Sequence, residues 1–244
     1  MAIPAEHIDL KSKSRVFRFF HKYLSEFVYG GIDGCITTFA VVAGAVGARM
    51  DTSVILILGI ANLVADGFAM SVGAYLSAQS EKKMYQKHLR SEHWQVKHTP
   101  DDEREEVREI YRNKGFEGEL LEQVVDVICA DKDRWVEEMM KNELDLQEEK
   151  KSCRMIGLAT FISFVLIGFI PISLYVLNLS VNLSINLFLW TSILTGIGFV
   201  IVGFFKAYVT KENAVKGISE TLALGTIAAT LAYYLGFFID MWIS

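Results

Sequence analysis

Paired cysteines are missing from this chain. Its three, Cys35, Cys129 and Cys153, form no Cys-x-x-Cys and share no repeated spacing. That excludes a disulfide framework and a structural zinc site as organising devices, and free thiols in a reducing setting are expected. Glu-x-x-His pairs are missing too, so facing helices cannot supply a di-iron centre of the ferritin-like kind. His88, His93 and His98 step by five residues, which turns each about 140° round a helix from the last, so no face carries all three. There is no basic patch of the sort nucleic acid needs, and the net charge is −5. No stretch alternates as a strand would, and no repeat is visible. A cleavable signal is also absent: the N-terminus stays polar to Arg15, and the first apolar segment follows a basic stretch. The chain reads as a non-enzyme, with no catalytic residues and no prosthetic group.

What is present is apolar residues in long runs. The chain is 52% hydrophobic and yet 22% charged, with mean hydropathy +0.30. Those figures are compatible only if the charges are segregated. About 20 of the 29 acids and about 14 of the 24 bases lie between Glu81 and Lys151. The negative balance therefore belongs to one central insert, and an acidic insert suits cations.

The pattern predicts an all-α membrane protein with five transmembrane helices. Residues 1–26 interleave Lys11, Lys13, Arg15, Arg18 and Lys22 with Phe17, Phe19, Phe20 and Tyr23. They read as a basic amphipathic segment at the membrane surface or as a simple positive flank. Spans one and two fall within 27–80: Phe27 to Ala48, then Val54 past Ser77 without a breaker. Residues 81–151 form the cytoplasmic insert, expected as three helices. Residues 152–244 hold spans three to five: Met155 to Leu177, kinked at Pro171, then Leu187 to Phe205 and Thr221 to Ile239. Each is long enough for a hydrocarbon core of about 30 Å. The basic segments are the N-terminus, the insert and the Lys206–Lys216 loop. The positive-inside rule then places the N-terminus in the cytoplasm and the C-terminus outside. Brief loops and the missing targeting segment suit a prokaryotic plasma membrane better than a vacuolar one.

Two constellations could carry chemistry. The first lies in the spans. Asn62, Asp66 and Met70 stand at i, i+4 and i+8 and share one helical stripe; Asp33 sits in span one. An acid at that depth costs about 2.5–3.5 kcal/mol on insertion scales, and no Lys or Arg lies within the spans to pair with either. A pathway for a cation gives both acids a purpose. Carboxylates supply charge, an amide supplies a neutral oxygen, and a thioether favours a transition metal over Mg²⁺ or Ca²⁺. Met70 alone would be ordinary packing.

The second constellation is acidic. Glu103 and Glu106 are i, i+3 after Thr99-Pro100, a helix start with a Thr cap and Pro at the first position. Glu92 stands three before Gln95. Met139 and Met140 precede Glu143 on what reads as the last helix of the insert. A solvated charge face is the ordinary explanation of such a run. Two adjacent methionines among charges need a reason, and the functional alternative is a carboxylate and thioether basket between facing helices.

The sequence also carries motifs of a known kind: Gly30-Gly31-Ile32-Asp33-Gly34; Ala69-Met70-Ser71-x-Gly73-x-Tyr75-Leu76 followed by Ser80-Glu81; Pro100 with Glu103, Glu106, Val107 and Glu109; Met139-Met140-Lys141-x-Glu143-Leu144; and Gly168-Phe169-Ile170-Pro171. By these, over nearly its whole length, the chain resembles the vacuolar iron transporter family, which moves Fe²⁺ and sometimes Mn²⁺ out of the cytoplasm in exchange for protons. The resemblance implies a homodimer with the ion path between two copies of span one, and Asp33 and Met70 as path ligands. It implies metal gathered on Glu92, Glu103, Glu106, Met139, Met140 and Glu143. Two positions depart from the family's usual pattern. Gln95 stands for a Glu in the insert, and Asn62 stands for a Glu in span two, with Asp66 one turn later as a relocated acid. The alternatives are a membrane-anchored metal sensor that conducts nothing and a transporter of another divalent cation.

Overall fold

The computed structural model describes residues 21–181 and 183–243. The surface segment expected over 1–26 falls, up to residue 20, outside them. The regular structure of the described residues is helical throughout: α1 Leu24–Gly47, α2 Thr52–His98, α3 Pro100–Asn113, α4 Gly118–Cys129, α5 Lys132–Asn142, α6 Cys153–Gly168, α7 Ile170–Val181, α8 Leu187–Thr210 and α9 Ala214–Ile243. The chain divides into two compact units. One comprises the residues up to Tyr75 and those from Lys151 onward; the other is Leu76–Lys150.

In the first unit α1 is the hub, packed against α6, α7, α8 and α9. Small residues permit this. A Cβ added at Gly168 would lie 2.7 Å from the Gly34 carbonyl oxygen, and one at Gly34 would collide with the Phe164 backbone. Helices in lipid associate by such close packing because lipid tails are as apolar as leucine. At the start of the bundle, Lys151 pairs with Glu26 at 2.7 Å and the Ser152 amide donates to the Tyr23 hydroxyl at 3.1 Å, tying α6 to α1.

Among the described residues four helices, α1, α2, α8 and α9, are long and apolar enough to cross a membrane, and α6 with α7 makes a fifth if the bent pair is one span. The bend is 53°. Its cause is in the sequence: α6 stops at Gly168, and Pro171 opens α7, where it lacks an N–H to bond the preceding turn and disfavours helix before it. Large apolar side chains such as Leu235 at 62% and Ile57 at 67% exposure remain uncovered on α9 and α2, as lipid-facing surfaces require. α2 has 47 residues, more than twice the roughly 20 that a span needs.

The second unit packs Val107 of α3, Leu121, Val125 and Ile128 of α4, and Trp135, Val136, Met139 and Met140 of α5 around Val96 of α2. Arg108 bridges to Glu122 at 2.7 Å and Arg104 pairs with Asp126, both joining α3 to α4. These pairs are largely exposed and guide register more than they add stability.

Two local expectations are corrected. Thr99 precedes α3, but its side chain does not cap that helix. The hydroxyl donates to the Gln95 carbonyl at 3.1 Å, because α2 ends at His98 and leaves C-terminal carbonyls seeking donors. The last helix of the insert is also shorter than the sequence suggests. It stops at Asn142, and the chain to Ser152 is not helical. The amides of Leu144 and Leu146 turn back onto the carbonyls of Met139 and Met140, with Asp145 at φ 50°, a conformation Asp tolerates. Glu143 therefore sits in the helix terminus, not on the helix.

Candidate functional site

The structure brings Asp33 and Asp66 together: each is half-buried, and Asp66 is the charge that Asp33 feels. Neither carboxylate makes a hydrogen bond or ion pair among the described residues. Asn62, on the same stripe as Asp66, donates from Nδ2 to Thr37 Oγ1 at 3.4 Å and Thr38 Oγ1 at 3.3 Å on α1. Thr37 in turn donates its proton to the Asp33 carbonyl oxygen at 2.9 Å. Met70 packs against the cluster holding Leu63 and Phe164, so it has a packing role whatever else it does. The next turn is fixed by Ser71 Oγ, which donates to the Gly157 carbonyl at 2.8 Å. Thr37 and Thr38 were not singled out from the sequence. Their spacing of 24 or 25 residues from Asn62 acquires meaning only once α1 and α2 lie side by side.

In the second unit, Glu92 comes from α2, Glu103 and Glu106 from α3, and Glu143 from the end of α5. Glu92 is 4% and Glu103 2% exposed. One oxygen each of Glu92, Glu103 and Glu106 is buried with no hydrogen-bond partner. Burial raises the Glu103 carboxyl to about 7, helped by the charges of Glu106, Glu92, Glu143 and Asp102. Burial and then Glu106 raise Glu92. Glu143 lies at the exposed rim, yet desolvation there and the charges of Glu106 and Glu92 raise it as well. Leaving a carboxylate oxygen buried and unpaired is among the costlier arrangements in a protein. The carboxylates neighbour one another without converging: among the described residues no three His, Cys, Asp or Glu side chains stand in metal-holding geometry.

The remaining predicted residues divide. Met139 and Met140 are 0% and 1% exposed and belong to the unit's core, which gives the adjacent methionines a packing reason. Gln95 is half-buried, and its amide oxygen accepts from Ser91 on its own helix at 3.1 Å. His98 stacks on Trp94 at 4.5 Å and joins no cluster. A cavity of about 610 Å³ in this unit touches Met140, Tyr85, His93, Glu137 and Glu148 but none of the four carboxylates. Another of about 420 Å³ lies in the span bundle, lined by Phe39, Phe188, Phe199, Tyr233 and Tyr234, and holds no predicted site residue.

A multi-span helical membrane protein whose span acids have no partner among the described residues has the build of a transporter. A family model described as the VIT family matches residues 24–237. Among curated relatives, a "Vacuolar iron transporter" of Plasmodium falciparum (isolate 3D7) is 31% identical over 220 residues, covering 87% of this chain and 81% of that protein. One of Toxoplasma gondii (strain ATCC 50861 / VEG) is 32% identical over 230 residues, 90% and 75% of the two chains. "Vacuolar iron transporter 1" of Arabidopsis thaliana is 29% identical over 211 residues, 86% and 83%. The chain belongs to the VIT family, whose members are transporters and not enzymes.

Proposed function

We propose that this protein exports a divalent transition metal, Fe²⁺ or else Mn²⁺, from the cytoplasm in exchange for protons. The observation that carries the reading is the Asp33–Asp66 pair, two carboxylates inside the spans that act on each other's charge and have no hydrogen-bond donor among the described residues. Two negative charges match one divalent cation. The same oxygens take up protons when the ion leaves, because metal and proton compete for one site. The relatives' printed name supports iron as the cargo.

The path residues are Asp33, Asn62, Asp66 and Met70, in a homodimer that doubles each acid by two-fold symmetry. Residues 81–151 act on the cytoplasmic side as a metal-gathering domain. There Glu92, Glu103, Glu106 and Glu143 close on the ion with Met139 and Met140 beside them, and Gln95 lowers the charge of the set. The N-terminus is cytoplasmic by the positive-inside rule, and the short loops favour a prokaryotic plasma membrane.

The test is metal flux and accompanying proton movement in sealed proteoliposomes across a panel of divalent ions. Flux is expected from the unmodified protein, and Asp33→Ala is expected to abolish it. Normal flux in that variant would remove Asp33 from the path. No flux in any arm would leave a membrane-anchored metal sensor.

A further inference from the structure

Resting on the transport reading, we infer that Thr37 and Thr38 are positioning residues that fix Asn62 as a neutral oxygen ligand of the ion path. The argument is one of proton accounting. A threonine hydroxyl has a single proton, and Thr37 commits its own to the Asp33 carbonyl oxygen at 2.9 Å. Whatever approaches the Thr37 oxygen must therefore donate. Of the two ends of the Asn62 amide, only Nδ2 can do so, and it stands 3.4 Å from Thr37 Oγ1 and 3.3 Å from Thr38 Oγ1. The choice between the two ends, often open for an asparagine, is decided here by chemistry. Thr38 is fully buried, so water does not compete at that contact.

With Nδ2 committed to α1, the carbonyl oxygen Oδ1 is the end of the amide left over. It makes no hydrogen bond among the described residues, and Asn62 stands at the i, i+4, i+8 spacing shared with Asp66 and Met70. The relay also reaches Asp33 itself, through the backbone carbonyl that Thr37 bonds. A carboxylate at position 62 has no proton to give the Thr37 oxygen, so only the Thr38 hydroxyl, or a Thr37 turned off the Asp33 carbonyl, could meet it. The amide thus adds an oxygen to the path without a third charge, leaving two acids for a divalent ion.

The experiment is Mn²⁺ uptake into proteoliposomes holding the full chain, read as KM and maximal rate. Thr37→Val keeps the shape and deletes the hydroxyl. It is expected to raise KM about threefold to tenfold, the worth of one neutral hydrogen bond. The maximal rate is expected to stay within about twofold. Thr37→Ser should restore the original KM. In an Asn62→Ala background, Thr37→Val should change nothing further, since the two act as one unit. If Thr37→Val does not fold, Thr38→Val carries the same cycle. An unchanged KM, a failed serine rescue, or a full effect persisting in Asn62→Ala overturns the inference while flux in the unmodified protein leaves the transport reading intact. Absence of flux in the unmodified protein removes that reading and the inference together.

Discussion

Each unit holds carboxylates that have no basic partner among the described residues, and the two sets are built differently. In the spans the acids are two, half-buried, and set beside an amide whose donor end is occupied by α1. In the insert they are four, two of them nearly inaccessible, with three orphaned oxygens. The difference teaches what each set is suited to do. Two acids hold one divalent charge and let it go. Four acids, two of them buried and Glu143 at the exposed rim, repel one another, and a cation relieves that repulsion; in the proposed function the insert concentrates metal and the spans pass it on. The surroundings agree. The insert acids are backed by a packed core of Val107, Met139 and Met140, which holds them in place. The span acids stand on helices brought together by glycines and single hydrogen bonds, contacts that permit rearrangement.

The comparison breaks first if the insert acids are only a charged surface. Glu103→Gln with Glu106→Gln is expected to weaken Mn²⁺ binding to the full protein by about 10- to 100-fold, measured by calorimetry at neutral pH. Flux at saturating metal should persist, because the span pair is untouched. Equal affinity would reduce the four acids to a solvated face and leave the orphaned oxygens unexplained.

The next effect is smaller and falls on the other set. Asp66→Asn keeps the shape of the side chain and removes one proton site from the span pair. Metal flux is expected to continue at about a tenth of its rate and to stop following an imposed pH gradient. Unchanged coupling would take Asp66 off the path and leave Asp33 to act with groups outside the stripe.

Much of this was legible in the sequence because lipid imposes simple rules. Apolar runs located the helices long enough to cross a membrane, and Pro171 located the bend. What could not be read was which partner a polar group chooses. Thr99 looks like a cap until α2 is seen to end one residue before it, offering a better acceptor. Glu143 looks helical until the amides of Leu144 and Leu146 fold back. Thr37 and Thr38 look like ordinary span residues until Asn62 arrives from another helix. Each of these is a contest between hydrogen-bond partners decided by tertiary proximity, which periodicity does not encode. The acids were legible as types and spacings. Their crowding and orphaned oxygens were not, since burial depends on the Trp135 and Val107 core that α3 to α5 build around them.

The finest test of the contrast is pH, applied to Glu103. Its carboxyl is raised to about 7 in the fold from an ordinary value of 4.5, chiefly by burial. The folded state therefore binds more protons than the unfolded chain over that window, and stability must fall as pH rises through it. Below 4.5 both states are protonated and the contribution is fully present; above 7 it is gone. The expected loss is about 1–3 kcal/mol between the two limits, read from unfolding followed by Trp94 and Trp135 fluorescence with Trp190 and Trp242 replaced by Phe. Glu103→Gln carries no charge to repel its neighbours and should flatten this slope. Mn²⁺ should do the same in the unmodified protein by occupying the ionised form, as a ligand that binds only the folded state stabilises it. A slope that survives Glu103→Gln unchanged would mean that the crowding is relieved by side-chain motion into water, and the insert would then resemble the looser span site more closely than its burial implies.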